Sequence, residues 1–147
     1  MPDVVLDLDI RAPLATVWDA VLDIERYPEL MTNVVFVNIE AWETPTTRRT
    51  EWGMIIKGAT LVWRDREEID HDAHTVTFRQ VSGDLERFEG AWEVTAKQPA
   101  LTGVSLGISF EIGVPLLAEM LNPVAQRALC DNCTEMLEGV ESQATVS

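Results

Sequence analysis

From Asn33 to Ile112 the chain presents one apolar segment of period two after another, separated only by short turn signals. That run limits the possible folds more than any other feature. Val104, Leu106, Ile108, Phe110 and Ile112 alternate with Ser105, Gly107, Ser109, Glu111 and Gly113, the clearest strand in the chain. Upstream, Val35, Val37 and Ile39 alternate, and Thr50, Trp52, Met54 and Ile56 alternate after the turn Thr44-Pro45-Thr46. Gly58 breaks the next corner. Leu61, Trp63 and Ile69 share one parity, Val76 and Phe78 follow the turn His71-Asp72-Ala73, and Phe88, Trp92 and Val94 follow Ser82-Gly83-Asp84. Consecutive strands joined this tightly pair antiparallel, because parallel neighbours need a crossover of about a dozen residues or more.

The flanks supply the rest. Val4, Leu6, Leu8 and Ile10 alternate with Val5, Asp7, Asp9 and Arg11, a first strand ended by Ala12-Pro13, which brings the count to seven strands. Ala15 to Ile24 carries Val17, Trp18, Val21, Leu22 and Ile24 at helical spacing, with Pro13 suited to a helix start. Glu25 to Leu30, containing Tyr27-Pro28, reads as a second short helical turn. At the far end Pro115 opens a helical stretch that restarts at Asn122-Pro123, with Asn122 as N-cap. Ala125, Leu129, Cys133, Met136 and Val140 then form an apolar stripe at spacings of three and four. The expected architecture is α+β: a curled antiparallel sheet wrapped around one long helix, with a cavity between them.

A chain of 147 residues buries roughly 68–70% of the surface its unfolded form exposes, enough for a core without disulfides. Residues 1–141 read as one domain and 142–147 as a flexible polar tail. Eleven Lys plus Arg against 25 Asp plus Glu give a net charge of −14. Such a field opposes nucleic acid and anionic membrane surfaces. No apolar run reaches the ~18 residues of a membrane span, and Met1-Pro2-Asp3 is acidic where a secretory signal is basic, so the expected location is the cytoplasm. Cys130 and Cys133 stand in a helical stretch with no second pair and read as packing. His71 and His74 have no third ligand nearby, so no metal is expected, and with no phosphate loop or nucleotide fingerprint in the chain no cofactor is expected either.

Three segments carry a resemblance: Ala12-Pro13-Leu14-Ala15-Thr16-Val17-Trp18, Glu25-Arg26-Tyr27-Pro28-Glu29-Leu30 and Ser82-Gly83-Asp84-Leu85-Glu86-Arg87-Phe88-Glu89-Gly90-Ala91-Trp92. With the order of elements, they make the chain resemble the START-like helix-grip superfamily over about residues 3 to 141. Within it, the chain is most similar to the polyketide cyclase and aromatase branch, which also includes ubiquinone-binding proteins. The resemblance implies a helix-grip fold with an internal hydrophobic cavity. It implies either a cofactor-free cyclase that closes a ring in a polyketide-like chain by aldol condensation and dehydration, or a protein that binds a lipid, quinone or polyketide unchanged. The implied partner is a hydrophobic small molecule, free or delivered by a carrier protein, and the oligomeric state stays open, a dimer included.

Parity nominates the site. If Trp63, Phe78 and Trp92 point inward, then Asp65 and Glu67 on the fourth strand, Gln80 on the fifth and Glu86 on the sixth point inward too. A carboxyl placed so is raised in pKa by desolvation and suits proton transfer to or from a carbon acid or a leaving hydroxyl. Glu67, Asp65 and Glu86 are therefore the candidate acid/base residues. Arg66 is a fourth candidate, because aromatase relatives carry an arginine a few residues after the tryptophan that Trp63 matches. Here Glu67 occupies the aligned place, and Arg66 has the opposite parity. Trp52, Trp63, Phe78, Phe88 and Trp92 are candidate walls for a flat ligand, with Met54, Leu121 and Met136 as adaptable lining. Tyr27, in the turn before the second strand, is the candidate aromatic at the pocket mouth.

Overall fold

The computed structural model describes residues 4–56, 59–112, 131 and 134–145. Seven strands form one sheet: β1 (Val4–Ile10), β2 (Val34–Thr44), β3 (Thr47–Ile56), β4 (Ala59–Asp70), β5 (Thr75–Gly83), β6 (Leu85–Gln98) and β7 (Leu101–Ile112). Their spatial order is β1-β7-β6-β5-β4-β3-β2, with every neighbouring pair antiparallel. The six consecutive strands thus form a meander, and β1 returns to pair with the last of them.

Between β1 and β2 lie α1 (Leu14–Leu22), a 3-10 turn (Ile24–Arg26) and α2 (Tyr27–Leu30). Pro13 stands at the N-cap of α1, and Val17, Trp18, Ala20 and Val21 form its buried face. Residue 131 and residues 134–145 are helical, the latter designated α3. Met136, Leu137, Val140 and Ala144 are buried along it, at spacings that place them on one face. Glu135 ties α3 to the segment after α2: it accepts hydrogen bonds from Thr32 Oγ1 (2.8 Å), the Asn33 backbone N–H (3.1 Å) and Asn33 Nδ2 (2.9 Å). The fold is the α+β arrangement expected from the strand pattern, and the helix-grip fold that the family resemblance implies.

The structure corrects three local readings. The tail expected from residue 142 onward is helical as far as residue 145, because Ala144 packs into the core and Gln143 donates to Asp23 at 3.1 Å. On β2 a register shift between Val34 and Phe36 breaks the simple alternation. Val34 and Val37 are buried and Val35 is 48% exposed, since a residue inserted on one strand turns its neighbours to the other face. The third correction, on β6, concerns the candidate site. Pro115, Asn122, Pro123, Ala125, Leu129, Cys130 and Cys133 lie outside the described residues, as does Gly58.

Candidate functional site

The concave face of β4 presents Trp63, Asp65, Glu67 and Ile69 inward, all buried, while Arg64, Arg66, Glu68 and Asp70 face outward. Here the alternation runs unbroken, so parity places both acids in the interior. The neighbouring strands add apolar walls in register: Trp52 lies opposite Trp63, Phe78 opposite Glu67, and Trp92 opposite Leu106.

These side chains line a cavity of about 30 Å³, counted as the space open to the centre of a water-sized sphere. Trp52 and Trp63 stack on one side, with centroids 6.3 Å apart and planes 5° from parallel. Phe88 meets Trp63 at 5.0 Å and Phe78 at 5.6 Å. Met54, Trp92, Leu106, Ile108 and Met136 contribute further apolar wall, and Asp65 and Glu67 are its acidic members. Leu121 lies outside the described residues.

The two acids differ in their company. Glu67 Oε1 accepts from Arg48 Nε at 2.6 Å, and Arg48 also donates through its Nη1 to the Leu22 carbonyl at 3.1 Å. The Trp42 ring covers the outer side of this guanidinium, 5.5 Å from its carbon, in reach of a cation–π contact. Asp65, only 2% exposed, has no such support, and its Oδ1 lacks any hydrogen-bond partner. Burial pushes the Asp65 carboxyl well above the usual carboxylate range, and the negative charge of Glu67 pushes it further. The indole of Trp63 pulls the other way without reaching hydrogen-bond geometry. Burial also raises Glu67, against the charge and hydrogen bond of Arg48, which lower it. Asp65 is thus held toward its neutral acid form.

Arg48 was missed by sequence reasoning, although a signal for it existed. It shares parity with Thr50, Trp52 and Met54, the inward face of β3, and register sets it directly across from Glu67. A charge at that parity, opposite an acid, is the pattern of a cross-strand ion pair.

Other candidates stand elsewhere. Glu86 is exposed, because a register shift between Leu85 and Arg87 inserts one residue into β6 and makes Leu85 the buried one. Arg66 points outward, 44% exposed, and pairs with Glu43 at 3.4 Å on the outer face. Tyr27 is not at a mouth: it is fully buried, and its hydroxyl donates to the Val21 carbonyl at 2.6 Å. Burial, followed by the charge of Glu67, raises the phenol above its ordinary value, so it stays protonated. Gln80 lies across from Asp65 and turns its Nε2 to the Leu85 carbonyl at 2.5 Å. His71 accepts from Trp18 Nε1 at 3.2 Å.

A curled seven-stranded antiparallel sheet packed with helices over an apolar cavity is the arrangement of the START-like helix-grip class. The model of the family described as polyketide cyclase / dehydrase and lipid transport matches residues 10–136, and the chain belongs to that family. No curated protein matches it. Among solved structures it is similar to TTHA0849 from Thermus thermophilus, with a TM-score of 0.90, 25% identity, and coverage of 96% of this chain and 95% of that one. The ZhuI aromatase/cyclase from Streptomyces sp. R1128 shares the fold at a TM-score of 0.81 and 19% identity, covering 96% and 92%. A START superfamily protein from Mycobacterium smegmatis does so at 0.80 and 16%, covering 96% and 95%. Among the described residues no helix is long and apolar enough to cross a membrane.

Proposed function

We propose that the protein is a cofactor-free, polyketide-cyclase-type enzyme that folds a hydrophobic keto chain in this cavity and closes a ring, with Asp65 as its acid/base group. The observation that carries this reading is the Asp65 carboxyl: buried, in the cavity wall, with one oxygen unpartnered. A structural core gains nothing from such a group, whereas proton transfer to a substrate oxygen needs one.

The chemistry follows from its neutral state. Asp65 gives its proton to the accepting carbonyl oxygen as the substrate's enol carbon attacks the carbonyl carbon, and the carboxylate recovers the proton that the enol oxygen releases. In the dehydration step Asp65 protonates the leaving hydroxyl and its carboxylate takes the adjacent carbon-bound proton. One water leaves and Asp65 is protonated again. Glu67 acts from behind, because its charge holds the Asp65 proton in place. Arg48 stays out of the chemistry, since Glu67 and the Leu22 carbonyl engage its Nε and Nη1. The aromatic walls contribute orientation, which lowers the barrier by restricting a floppy chain to a reactive fold.

The substrate reaches the site from the cytoplasm, free or on a carrier protein. A cavity of about 30 Å³ holds about two water molecules, so a ring-sized ligand enters only as side chains move, and Met54 and Met136 are the flexible ones.

The alternative is a binding or transport protein for a lipid, quinone or polyketide. It is favoured by the wall itself, in which every described member other than Asp65 and Glu67 is apolar. Incubation with candidate poly-β-ketones, followed by mass spectrometry, separates the two. The enzyme reading expects a product smaller by one water, lost in Asp65→Asn. Tight binding with no product from any candidate supports the carrier, and undiminished product from Asp65→Asn removes Asp65 from the mechanism.

A further inference from the structure

On the outer face of the sheet, away from the cavity, three arginines stand in one row. Arg49 on β3 lies directly across from Arg66 on β4, and Arg66 directly across from Arg79 on β5. All three are exposed. Like charges set directly opposite each other destabilise a ladder. In a chain with 25 acidic residues against 11 basic ones, an acid at the central position would turn that cost into attraction. The row therefore calls for a use outside the chain.

The chain itself neutralises the row only in part. Glu43 Oε1 stands 3.5 Å from Arg49 Nε and 3.4 Å from Arg66 Nε, so two cations share one carboxylate oxygen. Arg79 forms no ion pair among the described residues, and its register partner Glu89 turns to Arg87 at 3.3 Å. Glu40 and Glu51 are both held by Arg64 at 3.0 Å. Glu68, two residues along β4 from Arg66 and on the same face, is the remaining acid beside the row. Arg66 and Arg79 border an open recess of about 470 Å³, with Glu68, Thr77, Glu89 and Gly90 around it.

Spacing selects the partner. Neighbouring strands lie about 4.8 Å apart, so the second and third arginines stand about 4.8 and 9.6 Å from the first. On an α-helix, residues at i, i+3 and i+7 share one face and rise about 4.5 and 10.5 Å. On an extended strand, same-face residues rise about 6.8 and 13.6 Å, which overshoots the third arginine by about 4 Å. Three carboxylates on one helix face meet all three guanidinium groups, and three on a strand do not.

We propose that Arg49, Arg66 and Arg79 form a docking surface for an acidic helix of a partner protein, laid across β3, β4 and β5 with Asp or Glu at i, i+3 and i+7. Each guanidinium is a planar fork that receives a carboxylate through two parallel hydrogen bonds. The net charge of −14 is compatible with such a partner, because exposed charges more than about 8 Å away are largely screened at physiological ionic strength. The row and Asp65 lie on opposite faces of the sheet, so docking is tested apart from the cavity chemistry.

Two alanine-based helical peptides of equal charge test the geometry. One carries Glu at i, i+3 and i+7, the other at i, i+2 and i+5, spread around the helix. Both are titrated into the full chain and followed by amide NMR. The first is expected to bind about threefold or more tightly than the second at low salt, to shift the amides from Thr77 to Arg79, and to weaken as salt is raised. Arg79→Gln is expected to weaken it about two- to fivefold, and Glu68→Gln, which removes the flanking negative charge, to tighten it by a similar factor. Urea unfolding of both variants stays close to that of the natural chain, since both positions are exposed. Equal affinity for the two peptides, no binding, shifts confined to another face, or unchanged binding by Arg79→Gln would overturn the proposal. Tighter binding of a thymidine oligonucleotide than of the first peptide would overturn it in favour of nucleic acid. Self-association in sedimentation that is lost in Arg79→Gln would overturn it in favour of a second copy of the chain.

Discussion

Arg48 and Glu67 face each other across the β3–β4 ladder with Nε and Oε1 2.6 Å apart, and their side chains are only 3% and 5% exposed. A pair so deeply buried adds little net stability, because desolvation offsets the attraction, but removing one partner strands a charge. Arg48→Met is therefore expected to cost about 3–5 kcal/mol in urea unfolding. Arg48→Met combined with Glu67→Met should recover most of that loss. Additive losses in the double variant would show that the pair is not coupled.

The raised Asp65 carboxyl makes stability depend on pH in a defined direction. Its folded value lies well above the ordinary 3.8, so below that value the carboxyl is protonated in both states and its burial carries no charge penalty. Between the ordinary and the folded value only the folded state keeps the proton, and stability falls as pH rises through that window. Glu67, also raised, adds to the fall. Asp65→Asn is expected to be more stable than the natural chain near neutral pH, with the gain shrinking as pH drops toward about 4. Thermal unfolding across that range checks it, and a gain that stays constant with pH would contradict the assignment.

Glu86 and Arg66 are exposed on β6 and β4. Glu86→Gln and Arg66→Gln are expected to shift stability by no more than about 0.5 kcal/mol, with product formation unaltered. A large loss of turnover in either would return that residue to the site.

Glu135 holds the Thr32-Asn33 segment to α3 with three acceptor contacts. Glu135→Ala is expected to cost about 1–3 kcal/mol. It should also speed hydrogen exchange at the Asn33 amide, which Oε1 accepts directly. Unchanged exchange there would mean that the contact does not restrain the segment in solution.

Tyr27→Phe removes the buried donor to the Val21 carbonyl. The expected loss is about 1–2 kcal/mol in unfolding, with catalysis per folded molecule retained. A collapse of turnover at full folding would place the phenol in the chemistry.

The seven strands, their antiparallel order and the inward face of β4 were legible in the sequence, because unbroken alternation and short turns leave few other arrangements. The same rule failed where the backbone departs from it: the inserted residue before Arg87 turned Glu86 outward, and the shift at Val34 exposed Val35. A bulge changes the spacing of buried residues from two to three, as from Leu85 to Phe88, but which residue turns inward is settled only by pairing with the next strand. Arg48 was readable by parity but not by partner, because its register against Glu67 is a relation between two strands. Local pattern thus determined the class of fold, the apolar cavity and the pair of acids on its wall. Only the tertiary structure decided which acid stands alone: register gave Glu67 a guanidinium and left Asp65 Oδ1 without a partner, and burial made that difference count by raising the Asp65 carboxyl.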